Sequence, residues 1–123
     1  MFEKLEYLYQ KYDLYIVTNG LRKTQYRRFT ESGIDRYMKR IFVSEETGYQ
    51  KPMKEYFTYC FDKIPNLDLD RTLILGDSLT SDIKGGNNAG ITTCWYNPNS
   101  LVNNTDSRVD IEINRLSELY NIL

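Results

Sequence analysis

Residues 73–90 read Leu-Ile-Leu-Gly-Asp-Ser-Leu-Thr-Ser-Asp-Ile-Lys-Gly-Gly-Asn-Asn-Ala-Gly, which predicts a buried strand, a turn and a helix. The opening apolar run is short and uninterrupted, as is typical of a central parallel strand covered on both faces. Ser78 or Thr80 can cap the helix, and Gly90 can end it in a left-handed conformation. Asp77 would then lie at the carboxyl end of the strand, where open α/β sheets collect ligands.

Two carboxylates in this stretch, Asp77 and Asp82, are candidates for chemistry. A carboxylate that follows a buried strand is a hard oxygen ligand suited to Mg²⁺. In the alternative interpretation, Gly-Asp-Ser is only a turn with capping residues. Asp82 would then be a first-turn acid that interacts with the helix dipole. This stretch alone leaves both interpretations open.

The composition predicts one domain over residues 1–123, with 41% hydrophobic residues and enough length to bury about two thirds of its unfolded surface. The formal charge of −1 gives no indication of a nucleic-acid or membrane partner. There is no long apolar stretch and no signal peptide, so we expect a soluble, cytoplasmic protein. Cys60 and Cys94 are predicted to be two buried thiols.

Histidine is absent from the sequence. This excludes Ser-His and Cys-His catalysis and metal sites with histidine ligands. Any acid–base chemistry in this chain would therefore use carboxylates or lysine.

Helical and strand-like patterns alternate along the chain and predict an α/β fold, with a parallel sheet and helices on both faces. Pro52 suits the first turn of the third helix, whose buried face would comprise Tyr56, Phe57, Cys60, Phe61 and Ile64. Asn114 can cap the last helix. The predicted helices are 1–11, 21–32, 52–63, 79–89 and 115–120; the strands are 14–17, 41–44, 72–75, 92–96 and 109–113; and loops cover 45–48 and 97–108.

Three polar groups would fall at one edge of this sheet: Thr18 with Asn19, Lys51, and Asp77 with Asp82. Hydroxyl and backbone N–H groups bond phosphate oxygens, and an ammonium offsets developing negative charge. The set suits a phosphate ester with a metal. Singly, each group also fits a simpler interpretation: a strand exit with a helix cap, or a solvated lysine before proline.

The ordered set 16–20 (Ile-Val-Thr-Asn-Gly), 51–52 (Lys-Pro) and 76–78 (Gly-Asp-Ser) with Asp82 resembles motifs two, three and four of the haloacid dehalogenase (HAD) superfamily. Within this superfamily, the sequence is most similar to the branch of cytosolic pyrimidine 5′-nucleotidases. The resemblance implies a three-layer, Rossmann-like parallel sheet. It also implies Mg²⁺-dependent hydrolysis of a nucleoside monophosphate, or a similar small phosphate ester, through an aspartyl-phosphate.

The same resemblance implies a role for each residue. Thr18 and Asn19 would hold the transferring phosphoryl group, and Lys51 would bridge the nucleophile and the phosphate. Asp77 would ligate Mg²⁺, which argues for phosphate esters over carbon–halogen bonds. Asp82 would support the metal shell or orient Lys51.

The chain departs from the superfamily pattern at its start. The first motif, Asp-x-Asp-x-Thr at the end of an N-terminal strand, is not found, and neither is the helical cap. By the resemblance, the missing strand would lie between strands 14–17 and 72–75. We therefore expect the chain to be inactive alone, as the C-terminal half of a phosphatase. Alternatively, it is a component of a split enzyme whose partner is an N-terminal fragment, or a non-catalytic domain that binds phosphate and Mg²⁺.

Overall fold

The computed structural model describes residues 2–123 and divides the chain into two compact units. The first unit is Met1–Gln50 and the second is Lys51–Leu123. Each unit contains its own parallel sheet, so each is described by itself. The prediction of one incomplete core domain over residues 1–123 stays a prediction. Among the described residues, no helix is both long and apolar enough to span a bilayer.

The first unit is built on two parallel strands. Its elements are α1 (Phe2–Lys11), β1 (Tyr15–Thr18), α2 (Arg22–Ser32), β2 (Arg40–Val43) and α3 (Ser44–Thr47), with a 3₁₀ turn at Ile34–Tyr37. β1 pairs with β2 so that Thr18 lies opposite Val43, where both strands end. α2 ends at Gly33, whose φ of 80° is the left-handed conformation predicted for a helix end.

The second unit contains a three-stranded parallel sheet in the order β3, β4, β5. Its strands are β3 (Leu73–Gly76), β4 (Thr92–Tyr96) and β5 (Ile111–Ile113), and its helices are α4 (Lys54–Asp62), α5 (Lys84–Ala89) and α6 (Leu119–Ile122). A π-helical turn, Leu79–Ile83, leads from β3 into α5. Ser78 caps this turn, because its hydroxyl accepts a hydrogen bond from the Ser81 N–H, and Gly90 ends α5 with φ 76°.

The core of the second unit depends on close approach of α5. A Cβ at Gly85 would overlap the ring of Phe57, and a Cβ at Gly86 would overlap the side chains of Thr93 and Ile74. Glycine in a helix costs roughly 1 kcal/mol relative to alanine. At these two positions it allows α5 to pack closely against its neighbours, which a larger residue would prevent. Of the face predicted for α4, Tyr56, Phe57 and Cys60 are buried, whereas Phe61 and Ile64 are partly exposed.

Both cysteines are buried free thiols, as predicted. Burial raises the pKa of Cys94 from 9.0 to about 11. Near neutral pH this side chain is therefore a protonated thiol, and it packs as a small apolar group.

The helix predicted to begin at Pro52 begins two residues later, at Lys54. Its first hydrogen bond runs from the Tyr56 N–H to the Met53 carbonyl, at 3.1 Å. The Pro52 carbonyl instead accepts a hydrogen bond from the Asn88 side chain, at 2.9 Å. Because Pro52 is engaged in this way, it belongs to the turn before α4 and not to the helix.

Three other expectations are corrected by the structure. β3 is not covered on both faces by this chain, because Leu75 is 39% exposed. The predicted loop 45–48 largely forms α3, whose Thr47 hydroxyl donates to the Ser44 carbonyl. Asn114 does not cap the last helix, because its side chain donates to the Asn97 carbonyl at 2.7 Å. Glu118 supports that helix end instead, by accepting the Asn114 N–H at 2.7 Å.

Candidate active site

Lys51 and Asp82 form an ion pair inside the second unit. The Lys51 Nζ lies 2.6 Å from Asp82 Oδ1, and the two side chains are only 9% and 13% exposed. Lys51 comes from the turn before α4, and Asp82 comes from the π-helical turn after β3. The interpretation of Lys51 as a solvated side chain is therefore wrong. A short pair of this kind, largely removed from water, holds the ammonium in a defined position.

Both carboxylate oxygens of Asp82 are engaged within the unit. Oδ1 accepts from Lys51, and Oδ2 faces the Ser78 N–H at 3.4 Å. Gly76 makes this position of Asp82 available, because a Cβ at residue 76 would overlap the Asp82 carboxylate. The Asp82 side chain therefore packs against the end of β3, where a glycine leaves room for it. The resemblance left two roles open for Asp82, orientation of Lys51 or support of the metal shell, and both stay predictions.

Asp77 presents its carboxylate differently. Asp77 is exposed, and its carboxylate makes no hydrogen bond or ion pair with any residue of 2–123. Its backbone carbonyl accepts a hydrogen bond from Nε1 of Trp95, a buried residue of β4, at 3.1 Å. The neighbouring strand therefore fixes the backbone at Asp77, while the carboxylate faces solvent.

The fit of Mg²⁺ to these residues is partial. No group of three or more acidic, histidine or cysteine side chains within the described part of the chain could hold a metal ion. Mg²⁺ requires about six oxygen ligands and usually retains several waters. Asp77 can supply one of them, so the remaining ligands would be water, substrate oxygens or groups from outside this chain.

In the first unit, the turn after β1 is held by two side chains. Gln25 Nε2 donates to Thr18 Oγ1 at 2.7 Å and to the Asn19 carbonyl at 2.9 Å. The Ser44 hydroxyl accepts from the Gly20 N–H at 2.9 Å and lies 3.2 Å from the Gly20 carbonyl, to which it donates. Gln25 of α2 therefore holds the Thr18 hydroxyl and the Asn19 carbonyl, and Ser44, directly after β2, holds the backbone of Gly20.

Gln25, Ser44 and Trp95 were not identified from the sequence. A signal existed for Ser44, because it follows β2 and parallel neighbours end at the same edge of a sheet. Gln25 has no such signal, since a polar residue in a polar helix is unremarkable in sequence. The structure brings Lys51 to Asp82, and Thr18 and Asn19 to Gln25. The roles assigned to these residues by resemblance stay predictions.

A groove of about 440 Å³ adjoins Asp77 in the second unit. Its walls include apolar side chains of Leu79, Trp95, Leu101 and Val102, together with neutral polar side chains of Thr80, Asn104 and Thr105. Leu101 and Val102 are 63% and 84% exposed. The groove therefore offers an apolar surface with neutral hydrogen-bonding groups next to one carboxylate.

Comparison with known proteins agrees with the motif order. Residues 1–96 match the haloacid dehalogenase-like hydrolase family. YfnB of Bacillus subtilis, named as a HAD-hydrolase, is 54% identical over 122 residues, which are 99% of this chain and 52% of YfnB. The pyrimidine 5′-nucleotidase PynA of Streptococcus pneumoniae is 41% identical over 112 residues, which are 91% of this chain and 47% of PynA. The chain thus spans about half the length of the relatives it matches.

The fold comparison gives the same result. A crystal structure of YfnB bound to magnesium has a TM-score of 0.96 and covers 99% of this chain, which spans 54% of that structure. This likeness confirms the predicted Rossmann-like α/β fold class with parallel strands. The family match extends over most of the sequence and the fold agrees with it. The chain belongs to the haloacid dehalogenase-like hydrolase family.

Proposed function

We propose that this chain is the C-terminal half of a Mg²⁺-dependent phosphohydrolase. The enzyme would act on a nucleoside monophosphate or a similar small phosphate ester through an aspartyl-phosphate. The observation that carries this proposal is the Lys51–Asp82 pair, at 2.6 Å and largely buried. An ordered, desolvated ammonium is suited to stabilising the charge that develops on a transferring phosphoryl group.

Each site residue has a part in this proposal. Lys51 contacts the phosphoryl oxygens and the attacking carboxylate, and Asp82 holds Lys51 in place. Thr18 and Asn19 bind phosphoryl oxygens through the hydroxyl and backbone N–H groups. Asp77 is the ligand that this chain offers to Mg²⁺, which when bound supplies positive charge to the phosphoryl oxygens.

The substrate class is supported by the groove beside Asp77. Its apolar and neutral polar lining suits the uncharged part of an ester better than the phosphate itself. Two relatives, PynA and YjjG of Escherichia coli, are named as pyrimidine 5′-nucleotidases, which supports a nucleoside as that uncharged part. We place the enzyme in the cytoplasm, which is consistent with its two free thiols.

The nucleophile is proposed to come from an N-terminal segment outside this sequence. A direct test mixes the chain with the part of YfnB that it does not match and measures phosphate release from uridine monophosphate with and without Mg²⁺. We expect turnover only in the mixture and only with Mg²⁺. Asp77→Asn should reduce it by at least about a hundredfold, since the metal supplies several kcal/mol of charge stabilisation.

Asp106→Asn is the matched control, because Asp106 is an exposed carboxylate that pairs with Lys84 at 3.2 Å. It should leave turnover unchanged. If Asp77→Asn retained full activity in the mixture, Asp77 would not be the metal ligand. A mixture that binds Mg²⁺ without any turnover would favour the second candidate, a non-catalytic phosphate- and Mg²⁺-binding domain. Trp95, the single tryptophan, can report that binding by fluorescence through its contact with Asp77.

A further inference from the structure

The π-helical turn after β3 carries Asp82, and its hydrogen bonds differ from those of an α-helix. The Ile83 N–H donates to the Ser78 carbonyl at 3.1 Å, and the Lys84 N–H donates to the Leu79 carbonyl. Each of these bonds spans five residues, whereas the bonds of an α-helix span four. The Ser78 carbonyl also accepts the Asp82 N–H at 3.0 Å, which is the α-helical spacing. The turn therefore lies close to a competing α-helical register.

The partners of the Leu79 carbonyl distinguish the two registers. In an α-helix this carbonyl would accept the Ile83 N–H, which here is bonded to Ser78. Its backbone donor in the π-helical turn is the Lys84 N–H, which also donates to the Ser81 carbonyl. Because a carbonyl oxygen has two lone pairs, a second donor can add to this shared bond and favour the π-helical register.

Ser107, in the loop after β4, supplies that second donor. Its hydroxyl donates to the Leu79 carbonyl at 2.6 Å, and Ser107 is only 6% exposed. The backbone of Ser107 is itself held, because its N–H donates to Thr105 Oγ1 at 3.2 Å and its carbonyl accepts from the Asn103 side chain at 2.9 Å. Since the hydroxyl is buried, water does not readily replace it when it is removed.

The register of the turn decides where the Asp82 carboxylate lies. A slip of one residue rotates a side chain about the helix axis by about 100°. Asp82 Oδ1 lies 2.6 Å from the Lys51 Nζ, so a rotation of this size would separate the two groups. The Ser107 hydroxyl therefore stabilises the register in which Asp82 meets Lys51.

We propose that Ser107 is a positioning residue for the Lys51–Asp82 pair. It acts through the Leu79 carbonyl and the register of the π-helical turn, and it has no part in binding the phosphoryl group or the metal. The inference rests on the proposed function, in which Asp82 holds Lys51 beside the phosphoryl group.

The first experiment uses the full chain by itself and measures the nuclear Overhauser contact between the Lys51 Hε and Asp82 Hβ protons. This signal comes from the folded chain, so a loss of stability alone does not change it. Ser107→Ala should weaken the contact at least about twofold, because one hydrogen bond shifts a two-state equilibrium about three- to tenfold. Ser107→Thr keeps the hydroxyl and should restore the contact.

Ser32→Ala is the matched control for the lost hydroxyl. The Ser32 hydroxyl also donates to a backbone carbonyl, that of Phe29 at 2.9 Å, but it lies on α2 in the first unit. This variant should leave the Lys51–Asp82 contact unchanged. If Ser107→Ala does not fold, Ser107→Cys takes its place, because a thiol keeps the shape of the side chain and is a weaker donor.

The second experiment measures turnover of uridine monophosphate in the mixture with the unmatched part of YfnB. Ser107→Ala should lower kcat about three- to tenfold and leave KM unchanged, since a displaced Lys51 stabilises the transition state less well. Ser107→Thr should retain most of the activity.

An unchanged Lys51–Asp82 contact in Ser107→Ala would overturn the inference, even if turnover fell. A weakened contact with unchanged kcat, or with a change in KM alone, would also overturn it. If the wild-type mixture is inactive, the proposed function fails, and the Overhauser contact by itself then decides whether Ser107 positions Asp82.

Discussion

At the scale of single residues, the Lys51–Asp82 pair is expected to affect the free energy of unfolding more strongly than the surface pair Lys84–Asp106. Both members are largely removed from water, at 9% and 13% exposure. Lys84 and Asp106 form a pair at 3.2 Å whose acid is 84% exposed. Exposed pairs contribute little because water screens them, whereas removing one member of a buried pair leaves a charge without compensation.

Lys51→Ala is therefore expected to lower the free energy of unfolding by about 3 kcal/mol, because Asp82 would lose its partner in a poorly hydrated position. Lys84→Ala, the matched control, should cost no more than about 0.5 kcal/mol. Urea unfolding of both variants measures the difference. Equal small effects in the two variants would show that the Lys51–Asp82 pair is hydrated in solution. In the complemented enzyme, Lys51→Ala should also abolish turnover.

At the scale of elements, a buried amide, that of Asn97, fixes the first part of the loop after β4. Asn97 is 2% exposed, and its side chain bonds both the N–H and the carbonyl of Leu101, at 3.0 and 2.9 Å. It also donates to Glu112 on β5 at 2.9 Å. The backbone at Leu101 is therefore held on both sides, although the Leu101 side chain is 63% exposed. The sequence of this loop is rich in asparagine and serine, which predicts a loop without predicting this order.

Asn97→Ala should cost about 2 kcal/mol of stability, because it leaves polar groups of Leu101 and Glu112 without their partner. Hydrogen exchange at the Leu101 amide should become faster by at least about tenfold, since its acceptor is removed. Asn104→Ala, at an exposed position in the same loop, should change stability by less than about 0.5 kcal/mol. Unchanged exchange at Leu101 in Asn97→Ala would mean that other contacts order the loop.

At the scale of the whole molecule, each of the two sheets has an edge strand that leads into predicted site residues: β1 into Thr18 and Asn19, and β3 into Asp77. Within residues 2–123, β1 pairs only with β2, and β3 pairs only with β4. Parallel strands are usually covered on both faces, yet Leu75 on β3 is 39% exposed. We propose that an N-terminal segment supplies a strand that pairs with β3 and covers Leu75.

Adding the unmatched part of YfnB should therefore raise the midpoint of thermal unfolding by about 5 °C or more at saturating concentration, since a partner that binds only the folded chain stabilises it. Leu75→Asp should remove most of this shift, because it introduces a charge into the proposed contact. Leu101→Asp is the control, because Leu101 is also an exposed leucine, at 63%, but lies in the loop after β4. Equal shifts in both variants would exclude β3 as the contact.

Much of the fold could be predicted because its signals are local. Helix ends at Gly33 and Gly90 follow from the conformational freedom of glycine, and the strands follow from short apolar runs. The errors arose where distant groups compete for the backbone. The Asn88 side chain donates to the Pro52 carbonyl from 36 residues away. The sequence around Pro52 gives no indication of this contact.

By itself, the sequence determined the α/β class and the order of the main helices and strands, because periodicity and turn chemistry depend on neighbouring residues. The residues that it assigns to a phosphate ester stay a prediction. Only the tertiary structure decided that Lys51 is held by Asp82, 31 residues away, and that Thr18 is held by Gln25. The physical reason is that the burial and direction of a polar group depend on which distant elements surround it. A lysine side chain is solvated when it lies on an open surface, and it is held in one position when it lies beside a buried carboxylate.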